Sequence, residues 1–299
     1  MDFLAFLQQN TPAFAACVFV LSLLIGSFLN VVIYRLPLIL EREWQAQCAE
    51  MAGQPAPSAT GTETLTLATP RSFCPACKAP VRAIHNVPVV SWLALRGRCA
   101  NCGARIPARY PLVELATAVL SAAVAWHFGF GFEAACALAV TWMLIPLTGI
   151  DLDHQLLPDV ITLPLLWLGL LASLWHDPAS GAALPASPTD AIVGAAAGYL
   201  FLLGVFHVFK LLTGKEGMGY GDFKLFGALG AWLGWQMLPL ILLLSAGVGA
   251  VVGIGLMVVR KQGRDVPIPY GPYLAGAGWI ALMWGPQIVG GYLSMAGLR

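Results

Sequence analysis

Gly217-Met-Gly-Tyr-Gly-Asp222-Phe-Lys224 ends on a lysine, and the next charge along the chain is Arg260. The uncharged run between them, 225–259, is far longer than the ~20 residues one α-helix needs to cross a bilayer. It reads as two crossings with a break near Pro239. The same arithmetic applied outward gives further spans near 12–34, 111–130, 134–150, 160–176, 190–210 and 272–292. The composition agrees: 58% hydrophobic and 10% charged, with mean hydropathy +0.76, where a soluble domain carries about 25% charge. The chain therefore reads as an all-α polytopic membrane protein of about eight transmembrane helices. Its first apolar run is long enough to span, so it reads as a retained helix and not as a cleavable signal peptide. A net charge of +1 gives no electrostatic case for a nucleic-acid partner.

Three regions follow: a first transmembrane helix in 1–34, a polar cysteine-bearing loop in 35–110, and a seven-helix membrane domain in 111–299. Nine of the sixteen Lys and Arg lie in 35–110. With eight crossings, every one of the sixteen except Arg299 falls on one side of the membrane. The loops near Glu133 and at 177–190 hold none. The positive-inside rule makes the basic side cytoplasmic. Asp151, ending the third span, and Asp222, opening the sixth, then share that face. Residues 42–70, rich in Ala, Thr, Pro and Gln, read as a weakly ordered insertion.

Cys74-Pro-Ala-Cys77 and Cys99-Ala-Asn-Cys102 are two Cys-x-x-Cys pairs in that loop. Four thiolates so spaced suit tetrahedral zinc, and a filled four-cysteine site is structural because no coordination position stays open. Two disulfides or free thiols are the alternative, and a cytoplasmic location disfavours disulfides. His85 lies between the pairs and reads as a solvated or locally bonded histidine, since four cysteines already complete a site. Cys17 and Cys136 sit in apolar runs, as small core residues do.

Carboxylates beside membrane spans are costly and are functional candidates. Two that face each other can share a proton, one acting on a water as base while the other stays protonated as acid. The glycines before Asp222 permit a tight turn and a close backbone approach by a substrate. Other roles remain open on residue chemistry alone. Asp159 follows Pro158 and fits a helix N-cap, Asp153 fits an interfacial solvated carboxylate, and Asp222 can cap its own helix. Membrane acids also line ion and proton paths, so an ion- or proton-coupled transporter is the alternative function, although no internal repeat accompanies it. The Gly-x-Gly-x-Gly run lacks the preceding strand and βαβ unit of a dinucleotide site.

The motifs, taken together, resemble those of the type IV prepilin leader peptidase/N-methyltransferases over nearly the whole chain. Gly26-Ser-Phe-Leu-Asn30-Val-Val-Ile-Tyr-Arg35-Leu-Pro37 is similar to the family's first-helix motif, and Asn86-Val-Pro-Val-Val-Ser-Trp92-Leu-Ala-Leu-Arg-Gly97-Arg-Cys99 to its cytoplasmic-loop motif. Arg109-Tyr-Pro-Leu-Val-Glu114 follows, and Asp151-Leu-Asp-His-Gln-Leu-Leu-Pro-Asp159 and Gly219-Tyr-Gly221-Asp222 resemble its two aspartate motifs. At His85 the chain departs from many members, which carry an acidic residue there. The resemblance implies an intramembrane aspartic endopeptidase of the bacterial inner membrane with Asp151 and Asp222 as the catalytic pair. It implies prepilins and pseudopilins of type IV pilus and type II secretion systems as substrates, cut after a glycine that ends a basic leader, within membrane lipid. It further implies N-methylation of the new N-terminus with S-adenosylmethionine, for which Gly97 and the zinc loop are the candidate region. Glu114 reads as a helix cap.

Overall fold

The computed structural model describes residues 3–53, 65–178, 184–215, 217–260 and 268–297. Among them the regular structure is helical, with only two isolated antiparallel bridges. The chain divides into two compact units, Met1–Gly129 and Phe130–Arg299.

The first unit holds α1 (Phe3–Gln9), α2 (Thr11–Met51), the short α3 (Val90–Ala94) and α4 (Arg109–Phe128). The Asn10 side chain caps α2 by accepting the Ala13 N–H at 3.1 Å, and Pro12 follows where a missing N–H costs nothing. The expected span ends at 34, but the helix runs on to Met51. Its 41 residues amount to about 60 Å at 1.5 Å each, twice a bilayer's hydrocarbon thickness. Residues 42–51 are therefore helical and not a loose insertion; Glu41, Glu43, Gln45 and Gln47 suit an exposed helix that no longer needs an apolar environment. Of the rest of that expected insertion, 54–64 lie outside the described residues. α2 packs along α4. Asn30 Nδ2 donates to the Tyr110 carbonyl at 3.0 Å, and Arg35 donates to the carbonyls of Thr66 at 3.0 Å and Pro70 at 2.7 Å. The first-helix motif is thus the side of α2 that holds the loop.

The second unit contains α5 (Phe132–His154), α6 (Asp159–Ala172), α7 (Pro188–Thr213), α8 (Tyr220–Leu233), α9 (Leu238–Arg260) and α10 (Gly271–Met295). The break expected near Pro239 is real. α8 stops at Gly234, whose φ of +79° suits glycine, and α9 begins at Leu238 after a short 3₁₀ turn. α8 is the hub. Its 14 residues give about 21 Å, short of a bilayer's ~30 Å core. Ten of them are buried, from Asp222 through Trp232, because α6, α7 and α10 surround it. A helix apolar on every side belongs inside a bundle. The α7–α8 contact is backbone on backbone: a Cβ on Gly230 would lie 2.2 Å from the Gly194 carbonyl oxygen. Small residues let helices approach this closely where lipid supplies no hydrophobic drive. The Trp232 indole donates to the Leu165 carbonyl at 2.8 Å, fastening α8 to α6.

Helices occupy all eight stretches expected to span. Five are long and apolar enough to cross a membrane: Thr11–Met51, Arg109–Phe128, Phe132–His154, Pro188–Thr213 and Trp235–Val258. Asp159–Trp175 is apolar but shorter, and α8 and α10 fall outside that set.

Candidate active site and metal cluster

Asp151 lies in the last turn of α5. The helix ends at His154 because the next residue, Gln155, turns left-handed, with φ +53°, and gives its N–H to the Asp151 carbonyl at 2.9 Å. That places the carboxylate at the helix end and in the protein interior, only 5% exposed. The Gly271 N–H, at the start of α10, donates to Asp151 Oδ2 at 2.9 Å. Asp222, in the first turn of α8, is 7% exposed, and its Oδ2 accepts the Gly219 N–H at 3.2 Å. The two carboxylates lie within electrostatic reach of each other. Ends of α5, α8 and α10 thus converge, two of them with N-termini whose free N–H groups favour negative charge.

The neighbouring acids are used differently. Asp153 is exposed. The N-cap of α6 is Pro158, so the cap expected of Asp159 does not form. Asp159 instead sits in the first turn and receives Lys224 Nζ at 2.6 and 2.7 Å. The expected capping role of Asp222 does form, through its single bond from Gly219. Gly219 and Gly221 are not among the residues with positive φ, so neither is glycine for the sake of a left-handed backbone. Gly221 is bare because a Cβ would sit 2.6 Å from Leu157 Cβ, and Gly217 because one would meet the Phe209 ring at 2.7 Å. Sequence reading missed Gly271 and Leu157. The Pro269-Tyr-Gly-Pro272 run marks a chain turn and helix start, but not what its backbone would touch.

In the first unit the four cysteines meet. Their Sγ atoms all lie within 4.8 Å of one another, with Cys74 and Cys102 at 3.8 Å. Tetrahedral zinc with Zn–S bonds of 2.3 Å sets its sulfurs about 3.8 Å apart, so the cluster fits a metal of that size. None of the seven cysteines is in a disulfide. The two pairs are built alike. Lys78 N donates to Cys74 O at 2.8 Å and Cys74 N to Ala79 O at 2.9 Å; Gly103 N donates to Cys99 O at 2.9 Å and Cys99 N to Ala104 O at 2.8 Å. Lys78 and Gly103 take the same left-handed position, φ +60° and +71°. Asn101 Nδ2 donates to Cys77 Sγ at 3.5 Å and, ahead of other bonds, pulls that thiol down to about 6. A donor favouring the thiolate is what a metal ligand needs. His85 is not in the cluster.

Gly97 has φ +66°, and a Cβ on it would lie 2.9 Å from the Trp92 ring. Trp92 in turn donates to the Ile106 carbonyl at 3.1 Å. Glu114, 8% exposed, does not cap its own helix; its carboxylate accepts the Val89 N–H at 2.8 Å, just before α3.

An all-helical protein of the membrane-spanning kind, with a buried aspartate pair and a four-cysteine cluster, is the class these features define. Comparison with known sequences narrows it. Residues 20–128 match the bacterial peptidase A24 N-terminal domain, and residues 138–254 match the type IV leader peptidase family. A protein named prepilin leader peptidase/N-methyltransferase from Pseudomonas aeruginosa is 53% identical over 300 residues, covering 100% of both chains. Its namesake in Stutzerimonas stutzeri is 54% identical over 98% of each chain. One from Aeromonas salmonicida is 56% identical over 98% of this chain and 99% of its own. The chain belongs to the type IV leader peptidase family. No solved structure matches it. The transporter alternative finds no support in these comparisons.

Proposed function

We propose that the chain is a prepilin leader peptidase and N-methyltransferase of the bacterial inner membrane. The observation that carries this reading is the burial of Asp151 and Asp222 within electrostatic reach of each other. Two such carboxylates can hold one proton and one water between them. The ionised partner takes a proton from the water as its oxygen attacks the scissile carbonyl carbon. The protonated partner first donates to the carbonyl oxygen, and the amine nitrogen is protonated as the C–N bond breaks. The substrates are prepilins and pseudopilins, cleaved after the glycine that ends a basic leader, with the apolar pilin helix in the bilayer.

The chain crosses eight times, with a first helix in 1–34, a cytoplasmic loop in 35–110 and seven helices in 111–299. Lys and Arg placement supports that orientation. The metal of Cys74, Cys77, Cys99 and Cys102 is zinc, held structurally. S-adenosylmethionine, when bound, supplies the methyl group for the new N-terminus, and the Gly97 region of the zinc loop holds it.

Membranes containing the protein should convert a prepilin to a shorter product whose N-terminal residue carries one methyl group, read by mass spectrometry. A prepilin that remains uncut in membranes containing well-inserted protein would sink the peptidase reading. A cut but never methylated product would sink the second activity.

A further inference from the structure

From Ile84 to Leu93 every third residue is large, apolar and exposed: Ile84 73%, Val87 43%, Val90 60% and Leu93 62%. Val90 and Leu93, three residues apart, share one side of α3. Arg82 precedes this segment, Arg96 and Arg98 follow it, and all three are exposed. The surrounding loop is charged with one sign. Residues 65–110 hold seven Lys or Arg and neither Asp nor Glu. An exposed apolar ridge between arginines is unfavourable in water, but it is the composition of a segment that lies in a bilayer interface.

Two contacts set the depth of the segment. Just ahead of α3, the Val89 N–H donates to the Glu114 carboxylate at 2.8 Å. Glu114 is five residues into α4, whose 20 residues measure about 30 Å, no more than a bilayer's hydrocarbon core. A helix with so little length to spare crosses only with Arg109 at the headgroups, which sets Glu114 about 7 Å further in. The packing of α2 against α4 points the same way. A Cβ on Gly26 would lie 2.8 Å from Glu114 Cα, and Gly26 is nine residues, about 14 Å, inward of Arg35. The Val89 backbone is thus drawn below the headgroups, where its N–H would find no water. The Glu114 carboxylate supplies the acceptor instead.

We propose that residues 84–93 form a membrane-docking wedge, with Ile84, Val87, Val90 and Leu93 among the acyl chains of the leaflet where α4 begins and Arg82, Arg96 and Arg98 on anionic phospholipid headgroups. Guanidinium forks pair bidentately with phosphate, and each basic group beside an anionic leaflet adds to the attraction. The wedge holds the four-cysteine cluster against the lipid surface. The inference rests on α4 crossing the bilayer; in the orientation proposed above, the leaflet is the cytoplasmic one.

The test uses the full-length, metal-loaded protein in nanodiscs containing phosphatidylglycerol and phosphatidylcholine. Benzoylphenylalanine is placed singly at Ile84, Val87, Val90 or Leu93, and zinc content checks that each labelled loop is folded. After irradiation, intact mass separates a lipid adduct from a cross-linked protein. The same probe at Val119, exposed in the middle of α4, reports acyl chains, and at Trp44, on the polar extension of α2, water. Lipid adducts are expected at the four positions and at Val119, and not at Trp44. Glu114→Ala should lower the adduct at Val90 severalfold, and Glu114→Gln, which still offers Val89 an oxygen, should preserve it. Arg82→Ala/Arg96→Ala/Arg98→Ala should cut the phosphatidylglycerol retained after detergent extraction, read by native mass spectrometry, about fivefold or more. Phosphatidylcholine retention should not change. An adduct at Val119 with none at the four positions would overturn the wedge and leave the span intact. No adduct at Val119 either would defeat the crossing of α4 itself. Cross-links from Val90 or Leu93 to a second chain or to added prepilin, in place of lipid, would make the ridge a protein-docking face and overturn the assignment. Unchanged phosphatidylglycerol retention in the triple alanine variant would overturn the headgroup contacts.

Discussion

The backbone N–H of Gly271 points at Asp151 Oδ2 from 2.9 Å, across 120 residues of sequence. A Cβ added to Gly271 would lie 2.7 Å from that oxygen and 3.1 Å from Leu157 Cδ2. The approach of α10 to the carboxylate therefore requires glycine at this position. Gly271→Ala should push Asp151 off its donor and cut leader cleavage by about tenfold or more, as a small misplacement at a reacting group does. Membrane insertion and metal content should hold. A prepilin cleavage assay near the parent rate would contradict it.

Asp151→Asn and Asp222→Asn each keep side-chain size but remove the acid. Each alone should lower cleavage roughly a thousandfold or more, and the double variant should be scarcely worse, because groups acting as a unit are non-additive. Asp153→Asn, at an exposed position, should be mild. Asp159→Asn should also be mild, since its pairing with Lys224 is between side chains 28% and 53% exposed, and such pairs contribute about 0–1 kcal/mol. Single-turnover cleavage rates decide among these outcomes.

Gly230→Ala places a methyl group inside the α7–α8 backbone contact, 2.2 Å from the Gly194 carbonyl oxygen. The helices must separate, at an overpacking cost of about 1–3 kcal/mol or more. The variant should lose thermal stability in detergent, whereas Gly204→Ala on the same α7, with nothing within 4 Å, should not. Equal midpoints for the two would refute the contact's importance.

Elemental analysis of the purified protein should find close to one zinc per chain. Cys74→Ser/Cys77→Ser should abolish it and expose the loop to protease, because a site with two ligands holds neither metal nor fold. Full zinc occupancy in that variant would end the assignment.

Gly97→Ala forces a side chain into a left-handed conformation, at about 1–2 kcal/mol, and against the Trp92 ring. Methylation should fall while leader cleavage persists, since Asp151 and Asp222 belong to the other compact unit. Mass spectrometry of processed pilin separates the two; equal loss of both activities would refute the separation.

Sequence alone determined what depends on composition and local spacing. The apolar runs lie where the helices are, and the interruption near Pro239 falls where α8 gives way to α9, because helix length and breakers are local properties. The cysteine spacing announced its cluster for the same reason: two residues between thiols suffice to wrap one edge of a tetrahedron. Tertiary structure decided what depends on contacts between distant segments. Nothing local says that Gly271 donates to Asp151, that Lys224 pairs with Asp159, or that Gly221 is bare for Leu157 and Gly97 for Trp92. Each of those depends on which helix end or loop lies alongside, and packing of whole segments sets that. The same packing separates Asp151 from Asp153: the two carboxylates are alike in chemistry, but at the end of α5 one turns into the bundle and the other to the surface.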